Sequence, residues 1–245
     1  MKPRGIFALV LLFAFFTRSL PGQDVSDAIE QAIGGRTTLE ANQRYVVTGT
    51  LERYIDTPDG RVQEIGPFTL SFDGDLTRLE LSDRSMIRQG VLQQWWKPGG
   101  DRSSIQIGWE GLREVYLMPI WPVLQLKSMY QFMEANAERD NFQRLVTRRR
   151  FIGKRNKTDV VELSFHSQTH LLAEASFTTA DKKQAPILIT YEDYTRVNGL
   201  MVPSRVTRTI GDNPPWILLI DSVNFSPPVR SHEFDFEYRT REVAP

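Results

Sequence analysis

The chain holds three histidines, and two of them are spaced as if for metal binding. His166 and His170 are four apart, the separation at which a helix aims two imidazoles at one ion. The pattern around them is that of strands, however, and Ser167-Gln168-Thr169 between them reads as a turn. They would face each other across a hairpin with no acidic third ligand nearby, so solvated turn histidines are the simpler expectation. Asp73, Asp75, Asp83 and Asp101 would be candidates for acid–base pairs, but each falls at an expected turn, where aspartate bonds the backbone. The absence of cysteine removes thiol catalysis, Cys-ligated zinc, iron–sulfur clusters and disulfides. No glycine-rich nucleotide loop, nucleophile elbow, zinc-protease helix or calcium loop occurs. The sequence therefore assigns no catalytic residue, no metal and no cofactor.

Two constellations point to binding instead. Arg144, Arg148, Arg149, Arg150, Lys154, Arg155 and Lys157 crowd one hairpin. Arg148, Arg149 and Arg150 would contact an acidic partner or phospholipid headgroups; the plainer alternative is a solvated hairpin. The second constellation is aromatic. Trp95, Trp96, Trp109 and Trp121 lie close in sequence to Tyr116, Tyr130, Phe132, Met118, Met129 and Met133. Consecutive residues of a strand face opposite ways, so Trp95 and Trp96 cannot share one side. Either both faces of the sheet are covered there, or one indole is exposed at an edge. Trp95, Trp96, Trp109, Leu117, Trp121, Leu124, Met129 and Phe132 are the candidate lining or roof of an apolar cavity. Ordinary packing of helices on a sheet is the alternative.

The elements that would hold these residues are mostly strands. Val25, Ile29 and Ile33 recur at helical spacing, with Asp24 or Ser26 as cap and Gly34-Gly35 as stop. From Arg44 the period becomes two. Strands are expected through Tyr45–Glu52, Phe68–Phe72, Leu79–Leu81 and Met86–Trp96, with turns at Pro58-Asp59-Gly60 and Asp73-Gly74-Asp75. Pro119 and Pro122 break residues 109–136 into short helical pieces, with a last helix expected near Ser128–Ala137. Strands resume at Phe142–Ile152, Val160–Phe165, His170–Phe177, Ile187–Tyr194, Met201–Ile210 and Trp216–Phe225, and Asn198-Gly199 is a two-residue hairpin signal. The expected fold is α+β: one large curved antiparallel sheet of about eleven strands, with helices over its concave face.

Composition sets the address. Thirty Lys+Arg balance thirty Asp+Glu, which excludes a strongly basic nucleic-acid binder. Lys2 and Arg4 precede an unbroken apolar run from Ile6 to Phe16, too short as a helix to cross a bilayer core of about 30 Å. Residues 1–22 therefore read as an export signal and 23–245 as one domain, although no A-x-A motif marks the cut and an uncleaved anchor is the alternative. The expected location is the periplasm, with full secretion as the other option.

Several segments resemble the LolA-like outer-membrane lipoprotein carriers. They are Ala32-Ile33-Gly34-Gly35 followed by Tyr45–Leu51, the Met86–Trp96 strand with Lys97-Pro98, and the closing Val223-Asn224-Phe225 and Phe234-Asp235-Phe236. The best match is Tyr191-Glu192-Asp193-Tyr194-Thr195-Arg196-Val197-Asn198-Gly199-Leu200-Met201-Val202-Pro203, similar to a hairpin recurring in that group. The resemblance implies a half-barrel around an apolar cavity, lidded by helices, that shields acyl chains without a cofactor. It implies a carrier or sensor for a lipid, an acyl chain or a lipoprotein, with no catalysis and with peripheral membrane contact. The competing expectation is a module that binds an envelope protein through sheet edges or the basic hairpin.

Overall fold

Alternating apolar and polar residues build thirteen strands among the residues described by the computed structural model, which are 21–74, 76–89, 92–97, 106–107, 114–129, 131–133, 142–151, 157–179, 185–227 and 234. The strands are β1 (Arg44–Thr57), β2 (Gly60–Asp73), β3 (Leu76–Leu81), β4 (Ser85–Gln89), β5 (Leu92–Trp96), β6 (Gln106–Ile107), β7 (Gln131–Met133), β8 (Phe142–Phe151), β9 (Lys157–His166), β10 (Leu172–Thr179), β11 (Ile187–Val197), β12 (Leu200–Ile210) and β13 (Trp216–Asn224). They form one sheet in the order β6-β5-β4-β3-β2-β1-β13-β12-β11-β10-β9-β8-β7. Every neighbouring pair is consecutive in the chain except β1 with β13, which joins an N-terminal meander to a C-terminal one. The end strands β6 and β7 do not pair, so the sheet stays open.

Turn chemistry fixes the hairpins. Thr57 pairs with Gly60 around Pro58-Asp59, where proline presets φ. Val197 pairs with Leu200 around Asn198 (φ 47) and Gly199 (φ 82), the two positive dihedrals that the tight hairpin turn needs.

The sequence expectation fails at three places. Met86–Trp96 is two strands, because Gln89 pairs back onto Leu92 and the chain direction reverses between them. The helix expected near Ser128–Ala137 is instead a four-residue helix, α4 (Leu126–Met129), followed by β7, which pairs with β8. The first helix, α1, runs Pro21–Ile33, so Asp24 and Ser26 lie inside it and do not cap it. Proline is tolerated in a first helical turn because its missing N–H would have no partner there.

Helices roof one face of the sheet. Ile29 and Ile33 of α1 and Leu39 of α2 (Arg36–Ala41) are buried. Gly34 follows α1 at φ 139 and packs so closely on the β11–β12 hairpin that a Cβ there would come 2.6 Å from the Gly199 carbonyl oxygen. Residues 114–117 make one 3₁₀ turn, and α3 (Ile120–Leu124) follows. Pro122 falls in the first turn of α3, where it costs no hydrogen bond. One apolar cluster joins Ile29, Ile33, Leu39, Val115, Leu117, Ile120 and Val123 of the roof to Tyr45, Leu70, Leu163, Ile189 and Val206 of the sheet.

The roof is tied together by charge. Glu30, buried in α1, receives Lys127 at 3.1 Å and Arg36 at 3.2 Å, and Arg36 also reaches the Leu124 carbonyl. Lys127 further pairs with Asp27 at 2.6 Å.

Candidate functional site

An apolar pocket lies between the sheet and the first turn of the roof. Leu51 of β1, Phe68 of β2, Leu79 and Leu81 of β3, Leu218 of β13 and Leu117 line it, with Trp216 and Arg208. Strand alternation puts these side chains on the covered face, and the β1–β13 register sets Leu51 opposite Leu218. The cavity they leave is about 10 Å³, room for about one water and far below the roughly 300–1,000 Å³ of ordinary ligand pockets.

Two sets of contacts pin the roof beside the pocket. Glu114 at the start of the 3₁₀ turn accepts from Arg88 of β4 at 3.0 Å and from Arg208 of β12 at 3.5 Å. The Arg88 and Glu114 side chains are 0% and 4% exposed, and that of Arg208 is 10% exposed. Within the same turn, the Tyr191 hydroxyl donates to the Tyr116 carbonyl, and burial pushes the Tyr191 pKa well above its ordinary value. The Tyr116 ring meets Trp121 and Phe177 edge-on at 5.6 and 4.8 Å.

A second charged cluster sits around Trp216. The guanidiniums of Arg53 and Arg208 lie 5.4 and 5.5 Å from its ring centroid, within cation–π range. Arg53 is buried and neutralised by Glu64 at 2.7 Å and Asp83 at 2.6 Å. Burial raises the Asp83 pKa, but hydrogen bonds from Arg84 and Arg53, with their charges, outweigh it and hold the carboxyl below its ordinary value. Such a group stabilises the fold above its unfolded pKa of about 3.9 and stops doing so as pH falls through the lower folded value. Asp83→Asn is expected to unfold at lower urea than the wild type at pH 7. The gap should close as both are taken below pH about 3, which urea titrations at a series of pH values would read.

Of the residues singled out in the sequence, Leu117 lines the pocket. Leu124 is buried in the roof, and Trp121 is half-buried against Tyr116. Trp95 packs on the main core, while Trp96 is buried with Ile87 in a separate cluster, so both sides of β5 are covered. Met129 ends α4 and Phe132 lies in β7. Arg148, Arg149 and Arg150 lie in β8 opposite Val160, Asp159 and Thr158. Trp109 lies outside the described residues. The sequence reading missed the five strand residues of the pocket wall, Leu51, Phe68, Leu79, Leu81 and Leu218, together with Arg208 and Trp216. Their signal was a cross-strand pair: Arg208 faces Trp216 in the β12–β13 ladder. Among the described residues no group of three or more His, Asp or Glu gathers as metal ligands, and His166 and His170 meet through their backbones at 2.8 Å.

An open antiparallel half-barrel roofed by short helices is the fold of the LolA superfamily, and this chain has that fold. It is similar to a LolA superfamily protein from Nitrosomonas europaea, at 12% identity and a TM-score of 0.57 over 90% of this chain and 100% of the other. A DUF1329 family protein from Desulfovibrio piger matches at 8% identity and TM-score 0.57, covering 89% of this chain and 99% of that one. A domain from Vibrio parahaemolyticus, assigned to outer membrane lipoprotein sorting, matches at 11% identity and TM-score 0.51, over 86% and 95% of the two chains. No family model matches the sequence, and no curated protein matches it.

Proposed function

We propose that the protein is a non-catalytic carrier or sensor of the periplasm that shelters the apolar chain of a lipid or lipoprotein between its sheet and its roof. The observation that carries this reading is the pocket itself. Five aliphatic or aromatic strand residues and Leu117 of the roof enclose it, inside a fold shared with a domain assigned to lipoprotein sorting. The physics supports the role, since each CH₂ kept from water is worth about 0.8 kcal/mol. In this state the cavity is about 10 Å³, so the site is closed. Admitting a chain requires the 114–129 segment to lift, and the Glu114 and Tyr116 contacts are what it must release.

Protein purified from an envelope fraction should yield a bound lipid on organic extraction and mass spectrometry. Leu117→Asp, which puts a carboxylate into the pocket wall, should lose that lipid by tenfold or more while remaining folded. Ligand-free wild-type protein would count against the reading.

A second reading has one specific observation behind it. Beyond Glu52, β1 no longer pairs with β13, and before Phe68, β2 no longer pairs with β3. The two strands continue as a ribbon on which Tyr54, Val62 and Ile65 are 46%, 50% and 61% exposed. Free edges and exposed apolar side chains favour an envelope protein partner. Tyr54→Ser with Ile65→Lys should abolish such a complex in a pull-down and leave lipid extraction unchanged.

A further inference from the structure

We propose that the edge of β2 at Arg61–Ile65 takes up an extended segment of a partner polypeptide as an added strand. The proposal rests on the second reading above, that of a protein partner, and names how that partner is held. β2 pairs with β1 from Gly60 onward without a register shift, but with β3 only from Phe68 to Asp73. Among the described residues no strand other than β1 pairs with 61–65, and Arg61, Val62, Gln63 and Ile65 are exposed. Pro67 tells which backbone groups face outward. A proline within a ladder must turn its nitrogen away from the strand it pairs with. Pro67 pairs with Thr50 of β1, so at period two Ile65, Gln63 and Arg61 also turn their N–H and C=O groups away from β1. The slot they face is bounded at one end by the β3–β4 turn, where the Ser82 hydroxyl donates to Glu64 at 3.1 Å. An added strand would lie there in line with β3.

Strand edges are normally blunted against pairing. The end strands of the sheet are kept short, at two residues in β6 and three in β7. The β2 edge has no bulge, has its proline only at its end, and carries apolar side chains on both faces. Tyr54 pairs with Gln63 and is thereby a diagonal neighbour of Ile65 on the outer face, while Val62 lies on the other face. A second copy of this chain fits the edge poorly. Two-fold pairing of β2 with itself about Gln63 sets Val62 against Glu64 and Arg61 against Ile65, and pairing about Glu64 sets like charges opposite each other. The exposed apolar area is also a few hundred Å² at most, against the roughly 800 Å² that each partner gives a stable dimer. An added strand depends less on area, because main-chain hydrogen bonds supply its affinity and alternate side chains its specificity. The segment that fits has apolar residues opposite Ile65 and Val62, three positions apart and so on opposite faces.

The test is fluorescence anisotropy of a labelled hexapeptide, Thr-Val-Lys-Thr-Val-Thr, which in antiparallel register sets its valines opposite Ile65 and Val62. Wild-type protein should bind it at least about tenfold tighter than Gln63→Pro, which removes one outward N–H and leaves the β1 ladder intact. Gln63→Thr keeps that N–H and should bind as the wild type does. Circular dichroism checks that each variant is folded. If Gln63→Pro fails to fold, the peptide decides. N-methylation of its fourth residue, opposite Gln63, should cost the same factor, whereas N-methylation of its third, whose N–H points away from β2, should cost little. Equal binding of the two methylated peptides, or no binding to the wild type, would overturn strand addition. A dimer in sedimentation that Gln63→Pro abolishes would assign the edge to a second copy and overturn it too. The partner reading fails separately. A pull-down complex lost in Tyr54→Ser with Ile65→Lys but kept in Gln63→Pro would overturn strand addition and leave that reading standing. A complex that neither change touches would overturn both.

Discussion

Glu114→Ala is expected to cost about 3–5 kcal/mol of folding stability, because it strips the carboxylate from a buried ion cluster. Arg88 is 0% exposed and has Glu114 3.0 Å away, and Arg208 shares the same carboxylate from the other side. Removing Glu114 takes away the carboxylate that both guanidiniums hold in low dielectric, and breaking a buried ion cluster from one side costs far more than the net worth of the pair. A domain of this kind has roughly 5–15 kcal/mol in total, so the variant would sit near the edge of folding. Urea unfolding reads the loss directly, and a change under about 1 kcal/mol would show that water reaches the cluster. The double variant Arg88→Met with Glu114→Met provides the control. It removes the charge with its partner and should recover much of the stability, since apolar replacement of a buried pair is often neutral or better. The same pair fastens residues 114–117 to β4, so the single variant should also loosen the roof. Tryptophan fluorescence would follow this, because Trp121 packs on Tyr116, which lies in Glu114's own 3₁₀ turn.

Strands were legible in the sequence because alternation and turn chemistry act locally. Pro58-Asp59-Gly60 and Asn198-Gly199 specify their hairpins within a few residues, and the structure places both where the sequence puts them. The failures are where distant contacts decide. Gly90 is a turn signal, but apolar pairs at Met86-Ile87, Val91-Leu92 and Trp95-Trp96 on either side of it read as one strand and hid the reversal between Gln89 and Leu92. Gln131–Met133 has no strong strand pattern; it is a strand because β8 offers it an edge.

The site was less legible for the same reason. That Leu51, Phe68, Leu79 and Leu218 face the core follows from period two. That they come together around one small cavity follows from the β1–β13 pairing across most of the chain, which no local pattern encodes. The concentration of tryptophans drew attention to Trp95, Trp96 and Trp121, which pack the roof and the sheet, and away from Trp216, which lines the pocket. Buried Arg88 and Glu114 look like solvated residues in sequence. They lie 26 positions apart and meet only when the roof folds back over β4.

Gly49→Ala should be the most damaging methyl group that can be added to the sheet, at a cost of at least about 3 kcal/mol. A Cβ at this position would lie 2.0 Å from the Leu219 carbonyl oxygen and 2.9 Å from Cε1 of Phe68. The first contact is with backbone and cannot be relieved by a side-chain rotation. Gly49 sits where the register between β1 and β13 shifts, from Thr48 opposite Ser222 to Gly49 opposite Ile220. Irregularities of this kind bring two backbones close, which is why glycine occupies them. The β1–β13 ladder is the one pairing that joins the two meanders, so strain there acts on the whole sheet. It also acts on the pocket, because Phe68 and Leu51 flank the position and Leu218 precedes the crowded Leu219. Gly66→Ala is the matched comparison on the next strand. Its added Cβ would meet the Ser82 hydroxyl at 3.3 Å, which can turn away, and the Ser82 Cβ at an ordinary 3.8 Å. Its stability should change by less than about 1 kcal/mol. Urea unfolding of the two variants side by side separates the outcomes. Equal stabilities would mean that β1 and β13 can move apart without loss, and the sheet would then be two loosely joined meanders rather than one rigid half-barrel.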